Sequence, residues 1–223
     1  MSKKEEIKDL MIQQGLLPLY YNDSAEVSIE ILRALYKAGI RIIEYTNRGE
    51  NALDNFLLMK KTAKSEMPDM KLGIGTIKTK TDAEIFIAAG ADFIICPIVD
   101  ISIAEIAHKS GLLWIPGCMT ATEINTAEIN GASLVKIFPG NILGPTYISS
   151  IKEIFPKLLF MPTGGVEMSK ENIQAWFKSG VSAVGMGSKL ISKPIMENKD
   201  YKALTENCTQ ALALVREAKS YEL

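Results

Sequence analysis

The chain alternates short, β-rich apolar runs with longer amphipathic segments, and it does so eight times. Strands are expected at 16–20, 40–46, 71–75, 93–96, 112–115, 134–140, 158–161 and 183–186. After each comes a segment with helical spacing, such as Ile173, Trp176 and Phe177 at i, i+3 and i+4. A repeat of roughly 20 to 30 residues leaves room for a helical crossover, and such a crossover makes neighbouring strands parallel. No linker, composition break or low-complexity segment interrupts the series. The pattern therefore predicts an α/β fold: a single (β/α)8 TIM barrel over residues 1–223, with an N-terminal helix bearing Ile7, Leu10 and Met11. A doubly wound open sheet is the alternative, but it usually has fewer strands.

Local signals punctuate the pattern. Capping boxes are expected at Asp23 with Glu26, Thr81 with Glu84, and Thr120 with Glu123. Lys60-Lys61 is expected to end the second crossover helix, and Gly144-Pro145 to introduce the sixth.

Composition narrows the function classes. With 47% hydrophobic and 23% charged residues the chain can bury a large core. A formal charge of −1 gives no polyelectrolyte signature, so no nucleic acid partner is expected. The single histidine, His108, excludes a multi-histidine metal site. Cys96, Cys118 and Cys208 form neither a C-x-x-C pair nor an even framework, as in free thiols of a reducing compartment. No apolar run follows the basic start, and none is long enough to span a bilayer, so the protein is expected to be cytoplasmic, with no membrane partner.

One residue sits badly in this pattern. Lys136 lies within Leu134-Val135-Lys136-Ile137-Phe138-Pro139-Gly140, a run that reads as a buried strand. Burial favours the neutral amine, and a neutral lysine is a nucleophile toward carbonyl carbon. The plainer readings are a lysine snorkelling from a strand end or one paired with a carboxylate. Alternation puts Leu134, Lys136 and Phe138 on one face, and Ile42, Glu44 and Thr46 on one face of strand two, with Arg48 just beyond. If both faces point inward, Lys136 and Glu44 form either a buried ion pair or a Schiff-base lysine with an acid/base beside it.

Barrel active sites stand at the C-terminal strand ends, and phosphate often binds after strands seven and eight. Strand three ends in Gly73-Ile74-Gly75-Thr76, whose threonine can donate to a carboxylate. Strand seven ends in Pro162-Thr163-Gly164-Gly165 and strand eight in Gly185-Met186-Gly187-Ser188. Each is an ordinary tight turn by itself; together they present backbone N–H groups to one phosphate.

These motifs, with Ile43-Glu44-Tyr45-Thr46 and Ile115-Pro116-Gly117, occur in the order seen in the 2-keto-3-deoxy-6-phosphogluconate (KDPG) / 4-hydroxy-2-oxoglutarate (KHG) aldolase family, which the chain resembles over about residues 12–192. The resemblance implies a class I aldolase acting on a phosphorylated 2-keto acid in the Entner-Doudoroff manner. It implies Lys136 as the Schiff-base lysine and Glu44 as the proton shuttle. Thr76 and Arg48 would hold the pyruvate carboxylate, and Thr163, Gly164, Gly165, Gly187 and Ser188 the rest of the substrate and its phosphate. It further implies a homotrimer and no cofactor or metal, the imine on Lys136 acting as electron sink. Two departures bear on substrate. Tyr20-Tyr21 stands where some relatives carry an arginine, and residues 116–123 are similar to phosphogalactonate aldolases while 162–165 are similar to the phosphogluconate branch. Unphosphorylated 4-hydroxy-2-oxoglutarate is a further aldolase substrate. A phosphosugar isomerase or epimerase, or a non-enzymatic phosphosugar-binding barrel, would explain the glycine turns but not Lys136.

Overall fold

A computed structural model describes residues 2–220; Met1 and residues 221–223 of the expected single domain lie outside them. Helix α1 (Lys3–Gln14) turns at Gly15, in the left-handed conformation, into β1 (Leu16–Tyr20). The chain continues as α2 (Ala25–Lys37), β2 (Ile42–Thr46), α3 (Ala52–Glu66), β3 (Lys71–Gly75), α4 (Lys80–Ala88), β4 (Phe93–Ile95), α5 (Ile101–Lys109), β5 (Leu113–Ile115) and β6 (Gly117–Cys118). It closes with α6 (Ala121–Ile129), β7 (Leu134–Ile137), α7 (Gly140–Ile154), β8 (Leu159–Pro162), α8 (Lys170–Lys178), β9 (Val184–Met186), α9 (Lys193–Glu197) and α10 (Tyr201–Ser220).

All recorded strand pairs are parallel, as the crossovers require. They form two curled sheets, in the orders β5-β4-β3-β2-β1-β9 and β6-β7-β8, rather than one continuous eight-stranded ring. The first seam has a simple cause. Pro116 separates β5 from β6 and has no N–H to donate, although its carbonyl still accepts from Lys136 N at 2.8 Å. At the second seam the Thr163–Gly185 bridge and a 2.9 Å bond from Ser182 N to Phe160 O join β8 to β9.

Alternation sorts the core as expected. Leu17, Ile42, Phe93, Ile95, Leu113, Ile115, Leu134, Met161 and Ala183 form one buried cluster among the strands, and Ile7 and Met11 of α1 join it. The opposite strand faces, including Ile43, Tyr45, Val135 and Ile137, pack against the helices. Ile42 and Leu134 thus mark the inward faces, and Glu44 and Lys136 lie on them. The outward side of β2 is pinned too: the Tyr45 hydroxyl donates to Asn22 O at 2.9 Å, and Asn55 Nδ2 donates to that hydroxyl at 3.3 Å.

Several local expectations shift. Ser24, not Asp23, caps α2, its side chain accepting from Val27 N. Thr79, not Thr81, caps α4, accepting from Asp82 N. The Thr120–Glu123 capping box of α6 is present with both hydrogen bonds. Helix α3 runs past Lys60-Lys61 to Glu66. Helix α7 begins at Gly140 and breaks at Gly144 (φ 71°), after which Pro145 opens the second segment. Among the described residues no helix is long and apolar enough to cross a membrane.

The three cysteines are free and buried, and burial pushes each thiol up to about 12. At pH 8 such a thiol is thiolate to only about one part in 10⁴. The native protein is therefore expected to resist a disulfide reagent at pH 8, and to titrate all three thiols once denatured. One fast-reacting thiol in the folded protein would contradict this.

Candidate active site

The two charges read from alternation meet. Lys136 Nζ approaches Glu44 Oε1 to 3.8 Å, with the lysine 3% exposed and the glutamate 0%. That separation is too long for a hydrogen bond. Among the described residues neither carboxylate oxygen of Glu44 has a hydrogen-bond partner. Lys136 Nζ also lies 5.1 Å from the centroid of the Phe138 ring. Both side chains come from strand interiors held by neighbours: Glu44 is in register with Leu19 and Gly73, and Lys136 with Gly117 and Met161.

Gly75 has a role that its motif does not announce. A Cβ at that position would stand 1.7 Å from Glu44 Oε1, so the carboxylate occupies the space a side chain would need. Gly73 is similarly pressed, by the Phe93 ring at 2.2 Å. Thr76 follows with φ 62°, a left-handed conformation that costs a β-branched residue about 1–3 kcal/mol. Its Oγ1 accepts from Arg48 Nε at 3.4 Å, so these two residues lie side by side just beyond the ends of β2 and β3. Tyr20 turns toward the helices, its hydroxyl donating to Ser28 O at 2.7 Å. The Tyr21 hydroxyl donates to Asp23 and lies 2.1 Å from where a Gly49 Cβ would be, beside Arg48. Burial, with Asp23 adding to it, raises the Tyr21 phenol to about 12.

The two glycine turns follow neighbouring strands. Gly164 and Gly165 take φ of 92° and 73°. Thr163 is buried, and its Oγ1 has no hydrogen-bond partner among the described residues. After β9, Leu190 N and Ile191 N both donate to Gly187 O at 2.9 Å, and Ser188 is exposed on that turn. Lys189 pairs with Glu167 across the two turns at 3.0 Å. The loop after Lys136 leans on this region: Gly140 N donates to Thr163 O at 2.8 Å, and a Cβ on Gly165 would come within 2.8 Å of Asn141 Cα. Gly140 and Asn141 were not read as site residues; the Pro139-Gly140 pair was the available signal. Asn172 and Trp176, which contact Gly165 O, were also missed because Trp176 reads as a core position.

A parallel α/β fold carrying a buried lysine–glutamate pair and adjacent glycine turns at its strand ends has the layout of an enzyme of the aldolase class, a carbon–carbon lyase. The chain belongs to the KDPG and KHG aldolase family, whose model matches residues 7–207. It is 30% identical over 213 residues to the 2-dehydro-3-deoxy-phosphogluconate aldolase of Pseudoalteromonas atlantica, covering 94% of this chain and 95% of that one. It is 33% identical over 120 residues to the 2-dehydro-3-deoxy-6-phosphogalactonate aldolase of Escherichia coli, covering 53% and 58%. A crystal structure of KDPG aldolase from Legionella pneumophila, with pyruvate captured as a covalent carbinolamine intermediate, superposes with a TM-score of 0.84 at 27% identity, covering 92% of this chain and 97% of that one.

Proposed function

We propose that this protein is a class I aldolase cleaving 2-keto-3-deoxy-6-phosphogluconate to pyruvate and glyceraldehyde 3-phosphate. The observation that carries the reading is the 3.8 Å approach of Lys136 Nζ to Glu44 inside the buried strand ends. In this mechanism neutral Lys136 attacks the C2 ketone. Glu44, carrying the proton of the pair, donates it to the carbinolamine hydroxyl, which departs as water and so leaves a protonated imine and a Glu44 carboxylate. Glu44 takes the C4 hydroxyl proton as the C3–C4 bond breaks, and that electron pair moves to the imine nitrogen as an enamine. Glyceraldehyde 3-phosphate departs. Protonation at C3 and hydrolysis then release pyruvate and free Lys136. Arg48 and Thr76 hold the pyruvyl carboxylate, and Thr163, Gly164, Gly165, Gly187 and Ser188 hold the remainder and its phosphate. In this reading the two sheets close into a (β/α)8 barrel through their seams, residues 1–223 form one domain, and the enzyme works in the cytoplasm as a homotrimer without metal or other cofactor.

Borohydride reduction with pyruvate, followed by peptide mass analysis, tests the chemistry. A reduced pyruvyl adduct on the Lys136 peptide is expected; its absence, or activity abolished by a chelator, would sink the reading. Substrate is resolved by kcat/KM on the phosphogluconate, its phosphogalactonate C4 epimer and 4-hydroxy-2-oxoglutarate. The first is expected to lead, a preference supported by Pro162-Thr163-Gly164-Gly165 and by the near full-length Pseudoalteromonas relative.

Gly75→Ala supplies a steric test of Glu44. The added methyl must displace a carboxylate that stands 1.7 Å from it. A displacement of about 1 Å at an acid/base group costs on the order of 10²-fold in kcat. Far-UV circular dichroism should be unchanged, and full activity would show that Glu44 does not need its present place.

A further inference from the structure

The turn after β8 is held from behind by two side chains of α8. Asn172 Nδ2 donates to the Gly165 carbonyl at 3.0 Å, and Trp176 Nε1 donates to the same oxygen at 3.3 Å. Asn172 Oδ1 meanwhile accepts from Glu167 N at 2.9 Å, so one side-chain amide holds both ends of the Gly165–Glu167 segment. Trp176 is 1% exposed and packed in the core, which fixes the direction of its N–H.

The consequence lies on the far side of the held peptide. A trans peptide is planar, with its C=O and N–H pointing in opposite directions. Drawing the Gly165 carbonyl toward α8 therefore turns the Val166 N–H away from α8. Among the described residues that N–H has no hydrogen-bond partner. Two hydrogen bonds to one carbonyl also polarise the peptide and strengthen its N–H as a donor. The left-handed φ of Gly164 and Gly165 lets the backbone reach this orientation, which a side chain would oppose.

We propose that Asn172 and Trp176 are positioning residues that orient the Gly165–Val166 peptide to receive the distal phosphate of the substrate, a role that rests on the aldolase reading above. They touch no substrate atom and act through the backbone. Their effect therefore depends on whether the substrate carries a phosphate.

Two variants separate this role from a structural one. Asn172→Asp keeps the side-chain size and an acceptor for Glu167 N–H, and an acidic residue in the first turn of α8 suits the positive end of the helix. It also sets a carboxylate oxygen against the Gly165 carbonyl. Trp176→Phe removes the second donor and retains an aromatic ring in the core. Each is expected to lower kcat/KM for the phosphorylated substrate by about 10-fold, through KM rather than kcat. Turnover of unphosphorylated 4-hydroxy-2-oxoglutarate, and borohydride trapping of pyruvate, should stay within about twofold of wild type. Equal losses on both substrates, or no loss on either, would overturn the positioning role. A wild-type enzyme that traps pyruvate yet is indifferent to the phosphate would also overturn it, leaving the aldolase chemistry standing. A wild-type enzyme that forms no pyruvyl adduct removes the aldolase reading, and the positioning role with it.

Discussion

Lys136→Arg is expected to remove turnover while leaving the fold intact, a loss on the order of 10⁴- to 10⁶-fold in kcat. Guanidinium stays protonated and cannot form an imine, so pyruvate and borohydride should leave no adduct on the variant. Arginine is the informative replacement because it keeps a positive charge opposite Glu44. Lys136→Ala would leave a fully buried carboxylate without its cation, and breaking a buried pair in that way costs about 3–5 kcal/mol. Lost activity in the alanine variant would then mix chemistry with unfolding. The measurement is a steady-state assay alongside a thermal melt. An arginine variant that melts with the wild type but retains a hundredth of its activity would show that Lys136 is not the imine-forming residue.

Glu44→Gln should cost about 10²- to 10⁴-fold in kcat, the range for removing a positioned acid/base. The amide is close to isosteric, so the packing against Gly75 is preserved while proton transfer is lost. It differs from Lys136→Arg in one diagnostic respect. Lys136 remains able to condense with pyruvate, so borohydride should still trap the adduct, more slowly because Glu44 also serves the dehydration step. Complete absence of trapping would mean that Glu44 acts on Lys136 itself. Undiminished turnover would move the proton transfer to another group.

Much of the site was legible because strand periodicity is local. Alternation by two set Glu44 and Lys136 on the same faces as Ile42 and Leu134, and those two residues do lie in the cluster among the strands. The turns at Gly73–Thr76 and Thr163–Gly165 were likewise readable, since left-handed backbone at Gly164 and Gly165 and close approach at Gly73 and Gly75 call for glycine. The misread caps have a different origin. Asp23 and Thr81 have suitable side chains, but which residue caps depends on where the chain leaves the preceding strand, and Ser24 and Thr79 were better placed. The break in the strand ladder at Pro116 was visible as a residue but not as a seam, because a missing N–H matters only once its neighbour is known.

By itself the sequence determined the alternation of parallel strands and helices, the inward faces of β2 and β7, and the residue types at the strand ends. Each of these follows from spacing along the chain. Only the tertiary structure decided that Lys136 and Glu44 approach to 3.8 Å, that Gly75 yields its side-chain space to a carboxylate, and that Asn172 and Trp176 hold the Gly165 carbonyl. Those relations join residues remote in sequence, and they depend on the curvature of the sheets and on the seating of α8 behind β8, which local periodicity does not encode.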